Sequence, residues 1–162
     1  MLKSAGLVLL AGAFAFAGLR ASLRLTGRVR RLERFLRFLQ NAQTEILFSS
    51  IPVVRLLERH GGELPFLLDC AARCRGGEDF SDAWASAVRG AEGFSPEDRE
   101  LLLRFGEGLG ASDAQGQQAL CRLTMTLTEQ RLAEAREEQQ KKGRLCRTLG
   151  VLGGVGAALL FC

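Results

Sequence analysis

Residues 28–39 read Arg28-Val29-Arg30-Arg31-Leu32-Glu33-Arg34-Phe35-Leu36-Arg37-Phe38-Leu39. Val29, Leu32, Leu36 and Leu39 recur at intervals of three, four and three, the spacing of one helix face. Phe35, Ile46 and Leu47 widen that face, and the arginines fall largely between, on the solvated side. This predicts an amphipathic helix running to about residue 48. No segment of the chain alternates apolar and polar residues long enough to suggest a strand. The predicted fold class is all-α.

Toward the C-terminus the three prolines mark helix starts. Pro52, after Ser49-Ser50-Ile51, opens a helix over 53–59. Pro65, after Gly61-Gly62-Glu63, opens 66–75, which Gly76-Gly77 ends. Ser81 or Asp82 is expected to cap a helix over 83–89. Pro96 follows Ser95, an N-cap with proline at the first helical position. Glu97 and Asp98 then face the positive end of that helix dipole. The helix over 97–109 buries Leu101, Leu102 and Phe105 and stops at Gly110, a C′ glycine. Ser112 is expected to cap the last helix, with Gln115 as its capping-box partner. That helix runs over 113–142. Its first half carries an apolar stripe, Leu120, Leu123 and Leu127 with Ala119. Its second half is nearly all polar, with Glu137/Lys141 and Glu138/Lys142 as i,i+4 pairs, which reads as a stalk.

Toward both ends the charges vanish. Residues 4–19 and 148–162 carry none. Each run covers only about 22–24 Å of helix at ~1.5 Å per residue, and snorkelling by Lys3, Arg20 and Arg147 lengthens it. These runs predict a transmembrane helix with a basic flank over 1–23, a cytoplasmic helical domain over 24–144 and a second transmembrane helix over 145–162. Residues 20–37 hold seven arginines against Glu33 alone, and Lys141, Lys142, Arg144 and Arg147 precede the second run. Dense cations inside both spans hold the middle in the cytoplasm. Arg20, Arg24, Arg28, Arg30, Arg31, Lys141 and Lys142 are the expected orientation residues, in contact with anionic lipid headgroups. The rival for the first run is a secretory signal with Ala15-Phe16-Ala17 at its cleavage site; the arginines that follow argue against export. Gly150 and Gly154 form a G-x-x-x-G, a helix-packing site in a membrane, either within the chain against the first span or between subunits of a homo-oligomer.

Composition removes most catalytic chemistry. In 162 residues there is one histidine, no tyrosine and a net charge of only +4. The arginine cluster lacks interleaved stacking aromatics, so nucleic acid is not expected. The five cysteines, Cys70, Cys74, Cys121, Cys146 and Cys162, form no disulfide framework and, with His60 the only imidazole, no metal site. Gly106-Glu107-Gly108-Leu109-Gly110 resembles part of a nucleotide loop but ends a helix instead of following a strand. No catalytic residue, cofactor or metal is expected. Trp84, spaced with Ala83, Ala87 and Val88, is expected in the core.

The stretch Glu97-Asp98-Arg99-Glu100-Leu101-Leu102, followed by Leu109-Gly110-Ala111-Ser112-Asp113-Ala114-Gln115-Gly116-Gln117, resembles the D-R-E-(I/L)-L-L and L-G-x-S-D-x-x-G-Q segments of the stage III sporulation protein AB family of endospore-forming bacteria. Thr44-Glu45-Ile46, Phe80-Ser81-Asp82-Ala83-Trp84 and Leu149-Gly150-Val151-Leu152-Gly153 are similar too, so the likeness runs nearly end to end. It departs at Phe48-Ser49-Ser50-Ile51-Pro52-Val53, where the family shows an aromatic residue and then T-P-L-P-x-A. The resemblance implies a two-span membrane protein whose cytoplasmic domain is similar in fold to type II secretion F platform proteins. It implies a place in a secretion-like channel between mother cell and forespore, on the mother-cell side of the outer forespore membrane. A cytoplasmic ATPase, stage III sporulation protein AA, and the other stage III channel proteins are the implied partners.

The expected function is therefore a non-enzymatic assembly platform coupling that ATPase to the membrane complex. A membrane-tethered adaptor outside any secretion machine is the alternative. With no catalytic set, function falls to a partner surface. Arg99, Glu100, Asp113 and Gln117 are its candidate residues, against the plainer alternative that this motif merely folds a turn.

Overall fold

In a computed structural model the structure describes the backbone of residues 2–48 and 51–161 and the side chains of residues 23–46 and 51–143. The described residues include six helices and no strand: α1 Leu2–Phe48, α2 Val53–His60, α3 Pro65–Arg75, α4 Phe80–Gly90, α5 Pro96–Gly108 and α6 Ala114–Phe161. The chain is all-α, as its periodicity predicts. It forms two compact units, one of Arg28–Ala133 and one of Met1–Gly27 with Glu134–Cys162.

In the Arg28–Ala133 unit, proline and glycine punctuation works as expected. Pro52 precedes α2, Pro65 lies in the first turn of α3, and Gly77 after α3 has φ +93°. Two caps differ from expectation. Helix α4 starts three residues earlier than predicted because Asp79, not Ser81 or Asp82, is the N-cap; its carboxylate accepts from the Ser81 N–H. Helix α6 is capped by Asp113, whose Oδ1 accepts from the Gly116 N–H at 2.9 Å. Ser112 instead accepts a bond from Gln117. An aspartate one position along competes equally well for a helix N-terminus, so side-chain type alone does not choose between them.

The core is an aromatic chain crossing four helices. Phe35 and Phe38 of α1 meet Phe105 of α5 edge-on at 5.8 and 6.5 Å between centroids. Phe105 lies 5.8 Å from Trp84 of α4, Trp84 5.8 Å from Phe66 of α3, and Phe66 5.8 Å from Phe94 in the α4–α5 connection. Val29, Leu32 and Leu39 are buried as the spacing predicts, but Leu36 is only half-buried and Phe38 takes the inner place.

Helix α6 departs most from expectation. The predicted stripe is not the buried one: Leu123 is 59% exposed, Leu127 37%, and Ala119 is exposed. Gln117, Cys121, Thr124, Thr128 and Leu132 face inward instead. The threonines can do so because their hydroxyls are satisfied inside the helix, Thr124 donating to the Leu120 carbonyl at 2.8 Å and Thr128 to the Thr124 carbonyl at 2.7 Å.

In the second unit Leu25 and Ala135 are buried, and Gln139 Nε2 donates to Thr26 Oγ1 at 2.8 Å, placing α6 beside α1 there. The Glu137–Lys141 and Glu138–Lys142 pairs form, each at 2.6 Å. Among the described residues no helix is long and apolar enough to cross a membrane. The side chains of the two uncharged runs predicted as spans, with Arg20, Gly150 and Gly154, lie outside the described residues.

Candidate interaction surface at the α5–α6 turn

Helix α5 is anchored at its start by a capping box. Ser95 Oγ accepts from the Asp98 N–H, and Asp98 Oδ2 accepts from the Ser95 N–H at 3.0 Å. The same carboxylate takes two parallel bonds from Arg28 of α1, Nε to Oδ2 at 2.7 Å and Nη2 to Oδ1 at 2.9 Å. The Asp98 side chain has no exposure and that of Arg28 has 15%. Burial opposes ionisation of Asp98, but the Arg28 guanidinium and the Ser95 bonds outweigh it and hold the carboxyl below its ordinary range. Arg28, expected among the orientation cations, is a structural partner of Asp98. In sequence it is indistinguishable from its neighbours, because its partner is 70 residues away.

The end of α5 is shaped by glycine. Trp84 is buried and its indole N–H donates to the Leu102 carbonyl at 2.8 Å. The indole packs so closely on α5 that a Cβ at Gly106 would clash with Trp84 Cδ1 and Nε1. Gly110 has φ +84°, the left-handed conformation of a C′ residue. The glycine run that resembles a nucleotide loop is a packing and termination device.

The turn from α5 to α6 is tied together by Gln117. Its Oε1 accepts from the Gly110 N–H at 3.0 Å, and its Nε2 donates to the Gly108 carbonyl and to Ser112 Oγ, each at 2.9 Å. The four candidate surface residues therefore divide. Gln117 is 7% exposed and spent on the turn, which corrects its place on an open face. Arg99 is half-buried and donates to the Ala91 carbonyl at 3.1 Å, holding the α4–α5 connection. Glu100 is exposed and paired with Arg104 one turn along. Asp113 is exposed while capping α6. A single side chain with both donor and acceptor, in the first turns of a predicted helix after a glycine turn, was the available signal for Gln117's role.

Of the remaining orientation candidates, Arg24 and Arg30 are exposed, and the Arg31 guanidinium covers Gly93, where a Cβ would clash with it. Two shallow hollows meet at Val53, Leu109 and Gly110. One, of about 190 Å³, is completed by Ile46, Ile51, Leu56, Ala114 and Gln117. The other, of about 360 Å³, is completed by Val54, Phe80, Ser81, Gly106, Glu107 and Ala111. A third hollow of about 450 Å³ includes Arg34, Glu63 and Asp69, whose charges are already engaged in Arg34–Glu63 and Arg73–Asp69 pairs.

Among the described residues no group of histidine, cysteine and carboxylate side chains could hold a metal ion. Burial pushes the Cys70 thiol up to about 12, with Cys74 beside it adding to the effect, and pushes Cys121 up to about 11. Both stay protonated and unreactive at neutral pH. No buried side-chain nitrogen or oxygen among the described residues lacks a hydrogen-bond partner.

The class defined by this arrangement is a helical domain whose buried polar groups, among the described residues, serve the fold. The sequence pattern of stage III sporulation protein AB matches residues 3–162, and the chain belongs to that family. It is 25% identical over 169 residues to stage III sporulation protein AB of Bacillus subtilis (strain 168), with 99% of each chain covered. A solved structure of stage III sporulation protein AB superposes with a TM-score of 0.62 at 22% identity, covering 71% of this chain and 98% of that one, a likeness of fold. None of these names carries an enzymatic activity.

Proposed function

We propose that the protein is a non-enzymatic membrane platform of the secretion-like channel that joins mother cell and forespore during endospore formation, coupling a cytoplasmic ATPase to the membrane complex. Membership of the sporulation family supports the process. The single observation that carries the non-enzymatic role is the use of the buried polar groups. Asp98, Gln117, Thr124 and Thr128 are each engaged in holding helices or turns, and even Gln117, which lines a hollow, has its amide spent on Gly108, Gly110 and Ser112. The uncharged runs with basic inner flanks support two spans with the helical domain on the cytoplasmic side.

Affinity purification of the full chain from sporulating cells tests this directly. The ATPase, stage III sporulation protein AA, and other stage III channel proteins are expected to come with it; their absence from a stable, membrane-extracted complex would sink the platform role. Topology is checked by labelling Ala111→Cys, an exposed position, with a membrane-impermeant maleimide in a chain that also carries Cys74→Ser, Cys146→Ser and Cys162→Ser. Labelling is expected only after the cell is opened. The native Cys70 is a poor reporter because it is buried.

A further inference from the structure

We propose that the paired hollows at the α5–α6 turn receive a partner segment that presents large apolar side chains flanked by lysine or arginine. This deepens the platform role proposed above and rests on it. The two hollows share Val53, Leu109 and Gly110, so they form one discontinuous apolar trough. Gly110 keeps the ridge between them low, since any side chain there would need the left-handed backbone and would sit 3.5 Å from Val53 Cγ2.

The charge around the trough has the opposite sign from the chain as a whole, which is +4. Glu107 lines it directly. Asp79 and Asp82 lie in the start of α4, on either side of the lining residues Phe80 and Ser81, and Asp113 lies at the start of α6 next to Ala114. All four are exposed, and none pairs with a cation: Asp79 and Asp113 accept from backbone N–H groups of Ser81 and Gly116. Arg55 of α2 is the single cation among these stretches. Glu107 is the most informative of the four. It occupies the last turn of α5, which has no basic residue, and there the helix dipole disfavours a carboxylate. Arg104, one turn earlier, is engaged by Glu100. A carboxylate held against the dipole, beside the half-buried Val53 and Val54 and without a cation partner, is complementary to a cation arriving with apolar side chains.

The test uses the full chain held in a non-ionic amphipol and two immobilised helical peptides. Both carry leucine at positions 1, 4, 8 and 11; one has lysine and the other glutamate at the flanking positions. Saturable binding of the leucine–lysine peptide is expected, at least tenfold tighter than the leucine–glutamate peptide. Glu107→Lys with Asp82→Lys is expected to weaken it at least tenfold, and Val54→Gln to do so without altering charge. The charge-reversed variant removes no described ion pair, and its thermal midpoint is expected to stay near that of the parent, because the gain from a lysine in the last turn of α5 offsets the loss of Asp82 from the first turn of α4. Equal binding of the two peptides, or undiminished binding to the charge-reversed variant, overturns the inference. So does a self-associated form that Val54→Gln dissociates, which would make a second copy the occupant. The platform role fails separately, by loss of the channel proteins from the parent chain in cells; a charge-reversed chain that still retains them would remove the trough alone.

Discussion

Arg28 and Asp98, 70 residues apart, are joined by two parallel hydrogen bonds that fix the start of α5 against α1. The pair sits where the capping box of α5 also ends, so one carboxylate satisfies a guanidinium and the Ser95 N–H together. Removing either partner leaves a buried charge without compensation, which costs about 3–5 kcal/mol. Arg28→Ala and Asp98→Ala are each expected to lose stability in that range by urea unfolding of the full chain followed by circular dichroism. A loss below about 1 kcal/mol in both would show the pair to be incidental.

The same carboxylate makes stability pH-dependent. Its folded pKa lies below that of the unfolded chain, ~3.9 for aspartate. The stabilisation is present above that value and is lost as pH falls below about 4 toward the folded pKa. The unfolding midpoint is expected to drop between pH 5 and pH 3 more steeply in the parent than in Asp98→Asn, whose side chain does not titrate. Parallel curves would mean that Asp98 does not carry the linkage.

Gly106→Ala places a methyl group into the Trp84 indole. Overpacking of this kind costs about 1–3 kcal/mol. Trp84 is the only tryptophan, so its emission reports the site directly. A lowered midpoint with a shifted emission maximum is expected; an unchanged spectrum would place the indole elsewhere.

At the turn, Gln117→Ala is expected to cost more than Asp113→Ala. The first leaves the buried amide's partners at Gly110 and Gly108 unsatisfied, about 1–3 kcal/mol. The second removes a helix cap, about 1 kcal/mol. The reverse order would assign the turn to its cap. Arg99→Ala is expected to lower the midpoint slightly, through loss of the Ala91 carbonyl contact, whereas Glu100→Ala is expected to leave it unchanged.

The sequence by itself determined the all-α class, the start of α5 and the stop at Gly110, and the proline and glycine boundaries of α2 and α3. These are local decisions. Proline removes an N–H, glycine opens φ > 0 and serine caps within three residues, so the cause and its effect lie in one short window. The family motif was equally legible, because it is a string of residues. The tertiary structure alone decided which face of α6 is buried. Leu120, Leu123 and Leu127 mark the apolar side by composition, yet Thr124 and Thr128 turn inward because each satisfies its hydroxyl on its own helix. It alone decided that Arg28, identical in sequence terms to Arg24 and Arg30, pairs with Asp98, and that Gln117 is a turn-forming group and not a surface one. For Arg28 and Gln117 the deciding partner lies on another helix or across a turn, and the identity of a side chain does not record which neighbour will satisfy it.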